Sequence, residues 1–176
     1  MYNPFIKKKV KKLSENANRS KKFLNFNEIQ TVLILFETKD YEEADTFIER
    51  LKQMGKQVMA YAYKDKKDEY DYSETSYKII EEKQATDWFE NNLDDLAEKA
   101  SLRHYDIVID LTVRRNPVLE YILLQTKTDM TIGLKKTKKT IYDLAITSLS
   151  PSENTDSLKI RELGKQIVHY LQVIHS

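Results

Sequence analysis

Residues 31–36 read TVLILF, a β-rich run with no polar alternation after its first residue. A strand with one wetted face alternates apolar and polar residues, so this run predicts a strand covered on both sides. YDIVIDL at 105–111 is a second run of the same kind. The two are predicted to be neighbouring parallel strands at the centre of a sheet, because only a helical layer on each side hides both faces. The segments between them must therefore supply helices.

They carry the right periodicities. Tyr41, Ala44, Phe47, Ile48, Leu51 and Met54 form one helical stripe that Gly55 ends. Asp40, with Glu43 three residues on, reads as an acidic variant of the capping box. Gln57–Tyr63 (QVMAYAY) is the next strand, which completes a strand-helix-strand unit with a right-handed crossover. A polar connection over 64–76 leads to Tyr77–Glu81, a candidate antiparallel edge strand because that connection is short for a helical crossover.

Thr86–Leu102 is expected to be helical, with Phe89, Leu93, Leu96 and Ala100 facing inward. Asn116-Pro117 opens another helix, with proline at its first position and Val118, Tyr121, Ile122 and Leu124 following. Asp129–Leu134 and Tyr142–Thr147 are further strands. A last helix starts near Asp156, with Ile160, Leu163, Ile167, Tyr170, Leu171 and Ile174 as its stripe. The expected fold is α/β: a single Rossmann-like domain over 29–176, with a mostly parallel sheet of five to six strands flanked by helices. A basic N-terminal helical arm and linker over 1–28 precede it, and 176 residues suit one such domain.

The net charge of +1 hides an asymmetry. Residues 1–30 hold eight Lys/Arg, among them Lys7, Lys8, Lys9, Lys11 and Lys12, against two Glu; the rest of the chain holds 21 basic and 26 acidic residues. A basic arm on a mildly acidic body suits contact with an anionic partner. Phe5, Ile6, Val10 and Leu13 recur at helical steps over 4–14, an apolar stripe expected to dock on the body. Removing 1–22 is expected to leave the domain folded, because the first core strand begins at Thr31. Met1–Phe5 runs straight into lysines, which does not read as a signal peptide, and no run is long enough to span a bilayer. With no cysteine in the chain, a cytoplasmic location is the expectation.

Several chemistries are excluded by what is missing. There is no cysteine for a nucleophile or a zinc ribbon, and three glycines are too few for a phosphate-binding loop. The first strand-to-helix loop reads Glu37-Thr38-Lys39-Asp40, with no glycine to let a pyrophosphate approach the backbone. No cofactor is expected. His169 and His175 fall on different helical faces and His104 sits in a charged stretch, so no metal ligand set is expected either.

Glu37 and Asp110 lie at the carboxyl ends of the central strands, where open α/β sheets place reactive groups, and are the candidate acid/base pair should the protein be an enzyme. Cations follow the strands as well. Lys39 follows the first, Lys64, Lys66 and Lys67 the second, Arg114 and Arg115 follow YDIVIDL, and Lys135, Lys136, Lys138 and Lys139 follow DMTIGL. In a parallel sheet all of them gather at one edge, which then attracts anions.

TVLILF, YDIVIDLT, DMTIGL and the later YDLAI together resemble a small uncharacterised family of Bacteroidetes proteins, over most of residues 25–150. The low glycine and high Lys, Asn and Tyr content fits that source. The YDIVIDL-to-IGL arrangement is also distantly similar to the N-terminal half of heptosyltransferase-type glycosyltransferases. That likeness implies a Rossmann-like fold. It does not imply transfer chemistry, since those enzymes carry their nucleotide-sugar site in a second domain.

The leading expectation is a non-enzymatic binding or adaptor protein that engages RNA or a ribonucleoprotein through the arm and the basic edge. The alternatives are a small enzyme or regulatory domain for a phosphorylated metabolite or nucleotide sugar at that edge, and a protein–protein scaffold. Oligomeric state is not legible.

Overall fold

The computed structural model describes residues 4–16, 21–82, 91–147 and 156–174. Its centre is a six-stranded sheet: β1 (Thr31–Glu37), β2 (Gln57–Lys64), β3 (Lys78–Glu81), β4 (His104–Asp110), β5 (Lys127–Leu134) and β6 (Leu144–Ile146). The order is β3-β2-β1-β4-β5-β6 and every pairing is parallel. The described helices are α1 (Pro4–Asn16), α2 (Tyr41–Gln53), α3 (Asn91–Ser101), α4 (Pro117–Gln125) and α5 (Asp156–Val173).

β1 and β4 are neighbours, with Val32 opposite Ile107 and Leu35 opposite Asp110. Their missing alternation has the expected cause. Val32, Ile34 and Phe36 point into one core with α2 and α5, while Leu33 and Leu35 point into a second core with α1, α3 and α4. Burying each such side chain contributes about 1.5–3 kcal/mol, which makes these strands the foundation of both layers.

β3 departs from the sequence reading, which made it an antiparallel edge; it is parallel, with Tyr61 opposite Lys78 and Lys64 opposite Glu81. Four residues paired to the last half of β2 leave a short way back, and connection 65–77 covers it without a helix. That connection is fastened down. Asp68 accepts hydrogen bonds from the Thr38 and Tyr72 hydroxyls at 2.5 and 2.9 Å, while Tyr72 and Tyr77 pack against Tyr41.

Asp40 also differs. It ends a short 3-10 turn (Thr38–Asp40) that leaves its backbone at φ −111°, ψ 25°, outside the extended region a capping residue takes, and its side chain makes no capping hydrogen bond to α2. Glu43 reaches Arg161 of α5 at 3.6 Å instead of closing a capping box. Gly55 terminates α2 with φ +82°, as its position implied. Asn116 caps α4 by accepting from the Val118 and Leu119 amides, with Pro117 in the first turn.

The basic N-terminal segment is docked, not trailing. Ile6 and Val10 are buried in the core that α4 shares. Leu24, in the stretch that reads as linker, is buried in the other core, and the Phe26 amide donates to the Leu171 carbonyl. Removing 1–22 would therefore uncover apolar surface on α4, a cost invisible from the start of β1. In α3, Ala97 and Ala100 are buried. Residues 86–90 with Phe89, the Leu93 and Leu96 side chains, Arg19 and His175 lie outside the described set. Among the described residues no helix is long and apolar enough to cross a membrane.

Candidate functional site

An all-parallel sheet opens its strand-to-helix loops on one side, so the cations after β1, β2, β4 and β5 share the carboxyl edge. The sheet order reverses between β1 and β4, which places the topological switch point between Glu37 and Asp110.

At the centre of that edge the polar groups are sealed. Asp110 is fully buried, and each of its oxygens is used. Oδ1 accepts from the Thr112 amide and hydroxyl at 2.8 and 2.6 Å; Oδ2 accepts from Lys136 Nζ at 2.7 Å and the Tyr142 hydroxyl at 2.6 Å. Lys136 also donates to Tyr142 Oη and Thr112 Oγ1, and its side chain is 5% exposed. Burial, then the Asp110 charge, pushes the Tyr142 phenol well above its usual range, so it stays a protonated donor. Tyr142 fits there because residue 133 is glycine: a Cβ on Gly133 would sit 2.7 Å from the tyrosine ring.

Among the described residues three hollows adjoin this centre, and two of them hold the cations predicted from the sequence. The third, about 440 Å³, runs past Lys139 and Tyr142 toward Lys21 and Asp143 and continues the larger of those two. The larger, about 510 Å³, is a cleft between α1 and segment 136–142. Lys7 and Lys11 stand in its α1 wall and Lys138 and Lys139 in the opposite one, all four exposed. None of the four enters an ion pair among the described residues, whereas Arg115 in the floor is forked onto buried Glu120 at 3.0 and 2.6 Å. That bond to Glu120 raises the Arg115 pKa further, which makes its charge permanent. Glu15 is the acidic side chain on the α1 wall.

The smaller hollow, about 260 Å³, is a crevice at the switch point, lined by Glu37, Thr38, Lys39, Tyr63, Asp65, Arg114 and Arg115. Glu37 accepts from Asn116 Nδ2 at 2.9 Å and pairs with Lys39 at 2.8 Å. The residue that caps α4 thereby holds the end of β1.

The sequence-predicted residues are sorted by this geometry. Lys7, Lys11, Arg115, Lys136, Lys138 and Lys139 line the cleft, while Lys39, Arg114 and Glu37 line the crevice. Lys8, Lys12 and Lys135 are exposed outside both hollows. Lys9 faces away and pairs with Asp94 at 3.0 Å, and Lys64 donates to the Tyr70 carbonyl. Asp110 is placed where no ligand reaches it. Sequence reasoning missed Tyr142, Glu120 and Thr112; the one available signal was a tyrosine two residues ahead of a short strand.

At the opposite, amino edge, His104 and Asp129 sit 3.0 Å apart beside Asp106, close enough for all three to face one cation. Asp106 is occupied there by the Gln30 and Thr31 amides at 2.7 and 2.8 Å, which fasten the start of β1.

The sheet order and the carboxyl-edge hollows define a Rossmann-like α/β protein. Residues 3–174 match the family described as "Family of unknown function (DUF6913)", and the chain belongs to that family. Among curated proteins none matches significantly. The crystal structure of the glycosyl transferase family 9 from Veillonella parvula DSM 2008 is similar in fold, with TM-score 0.53 and 15% identity. The match covers 89% of this chain but 44% of that one, so the present chain spans less than half the length of its neighbour. The fold likeness expected from YDIVIDL and IGL is met.

Proposed function

We propose that the protein is a binding module for a phosphorylated ligand, held in the cleft between α1 and segment 136–142. One observation carries this reading: Lys7 and Lys11 converge with Lys138 and Lys139 across a hollow of about 510 Å³, with no ion pair among the described residues to neutralise them. That volume lies within the roughly 300–1,000 Å³ of small-molecule sites. Four cations facing each other across a hollow repel, and an anion between them relieves that repulsion.

Binding without catalysis is favoured over the enzymatic alternative. The glycosyltransferase likeness in fold raises that alternative, but the two carboxylates placed to serve it at the strand ends are both engaged within the protein. Asp110 is buried with both oxygens engaged, and Glu37 is tied to Asn116 and Lys39.

RNA or a ribonucleoprotein is the second reading, favoured by Lys8, Lys12 and Lys135, which extend the basic surface beyond the cleft. Calorimetry with inorganic pyrophosphate and with single-stranded oligonucleotides of increasing length separates the two. A small ligand in the cleft predicts that Lys138→Ser with Lys139→Ser lowers pyrophosphate affinity by about tenfold or more, a loss of about 1.4 kcal/mol. Lys8→Ser with Lys12→Ser should then have little effect. A polyanion predicts affinity that grows with oligonucleotide length and falls by orders of magnitude between about 50 and 200 mM salt. No binding of either probe at low salt would sink both readings.

A further inference from the structure

We infer that the α1 cleft and the switch-point crevice are two compartments of one site, divided by Arg115, that takes a phosphate ester of a neutral polyhydroxyl group. The inference rests on the phosphate-binding reading of the cleft and adds the chemistry of the rest of the ligand.

Arg115 lines both hollows, so the two meet at its side chain. Its guanidinium is held in a fork by Glu120 and its side chain is still 49% exposed. A fixed, half-exposed arginine is a pivot that a ligand can contact from either side.

The compartments differ in chemistry. The cleft walls offer cations. The crevice offers the carboxylates of Glu37 and Asp65 against Lys39 and Arg114, beside the Tyr63 ring. Arg115 is balanced by Glu120, and the two carboxylates balance Lys39 and Arg114, so the crevice carries no net charge to favour a second phosphate or an ammonium group. What such a mixed lining accepts is a neutral group with several donors and acceptors, and hydroxyls are both. At about 260 Å³ the crevice is below the size of a complete small-molecule site, as expected for the compartment that takes one fragment. Asp65 is exposed on connection 65–77, and its Oδ1 accepts from the Lys67 amide at 2.9 Å. That bond aims the carboxylate and leaves its second oxygen to a ligand hydroxyl.

The test is calorimetric titration of the full chain with inorganic phosphate and with ribose 5-phosphate. Ribose 5-phosphate is expected to bind about tenfold tighter, the gain of one or two added hydrogen bonds to carboxylate. Asp65→Asn and Glu37→Gln should each reduce that advantage while leaving inorganic phosphate binding unchanged. Lys138→Ser with Lys139→Ser should weaken both probes. Because Glu37 also holds Asn116, the Asp65 variant carries the decision if the Glu37 variant loses stability. Equal affinity for the two probes, or an advantage untouched by Asp65→Asn, overturns the two-compartment site and leaves the phosphate cleft standing. If neither probe binds, the cleft reading itself falls.

Discussion

Lys136 and its near neighbours Lys138 and Lys139 leave the end of the same strand, yet they do opposite work. Lys136 turns inward, where Asp110, Thr112 and Tyr142 take every donor it offers. Lys138 and Lys139 stand in solvent facing Lys7 and Lys11 across the cleft. The buried set ties the ends of β4 and β5 to the segment before β6; the exposed set enters no ion pair among the described residues, as the proposed phosphate site requires. Removal from water decides which role a lysine takes. A charge at the bottom of the edge must be paired to exist there, whereas one at the rim costs little to leave unpaired.

That contrast can be broken most forcefully at the buried lysine. Lys136→Met leaves the Asp110 carboxylate in the interior without its cation, a change expected to cost about 3–5 kcal/mol in denaturant unfolding. Adding Asp110→Asn removes the stranded charge, so the double variant should be more stable than Lys136→Met alone. A loss no larger than that of Lys138→Met would mean the buried pair does not hold the edge together.

The next effect is steric. Gly133→Ala places a methyl 2.7 Å from the Tyr142 ring and should cost about 1–3 kcal/mol, read as a lower melting temperature. Paired with Tyr142→Leu, the alanine should cost less than it does alone, because the ring it strikes is gone.

A pH experiment sharpens the comparison from the same residue. The folded Tyr142 pKa is raised above its unfolded value, so its contribution is complete below about pH 10 and is lost as pH rises through the folded value. Stability should fall on the alkaline side, and Tyr142→Phe should make that fall shallower. Tyr77 and Tyr121, raised by burial and by hydrogen bonds to Asp45 and Asp94, contribute to the same limb. An unchanged alkaline slope in Tyr142→Phe would place the phenol in solvent.

The smallest effect is expected at the rim. Lys138→Ser with Lys139→Ser should shift stability by less than about 0.5 kcal/mol even where it removes most ligand affinity. A larger loss would show these lysines to be structural after all.

The sites differ in how much the chain discloses locally. The Asn116-Pro117 cap and the Gly55 stop use neighbours within a few residues, and both are readable as written. Asp40 with Glu43 has the same kind of signature and fails, because the preceding 3-10 turn holds the Asp40 backbone out of the capping conformation and Glu43 turns to Arg161. The gathering of cations at one edge followed from strand direction, which apolar runs reveal. Which cations of the arm and of that edge enter ion pairs did not, because Lys9 meets Asp94 and Lys136 meets Asp110 only after distant segments pack.

The sequence by itself determined the two-sided central strands, the helices that cover them, and the side of the sheet on which the basic loops open. Those follow from hydrophobic periodicity and the handedness of crossovers, which act over one element or one connection. Tertiary structure alone decided that β3 runs parallel, that the basic N-terminal helix docks on α4 as one wall of a cleft, and that Arg115 stands between two hollows. Each of these depends on which surfaces meet across long stretches of chain. Burial and ion pairing there are set by the whole packed molecule, so a lysine's neighbours in sequence carry no record of its neighbours in space.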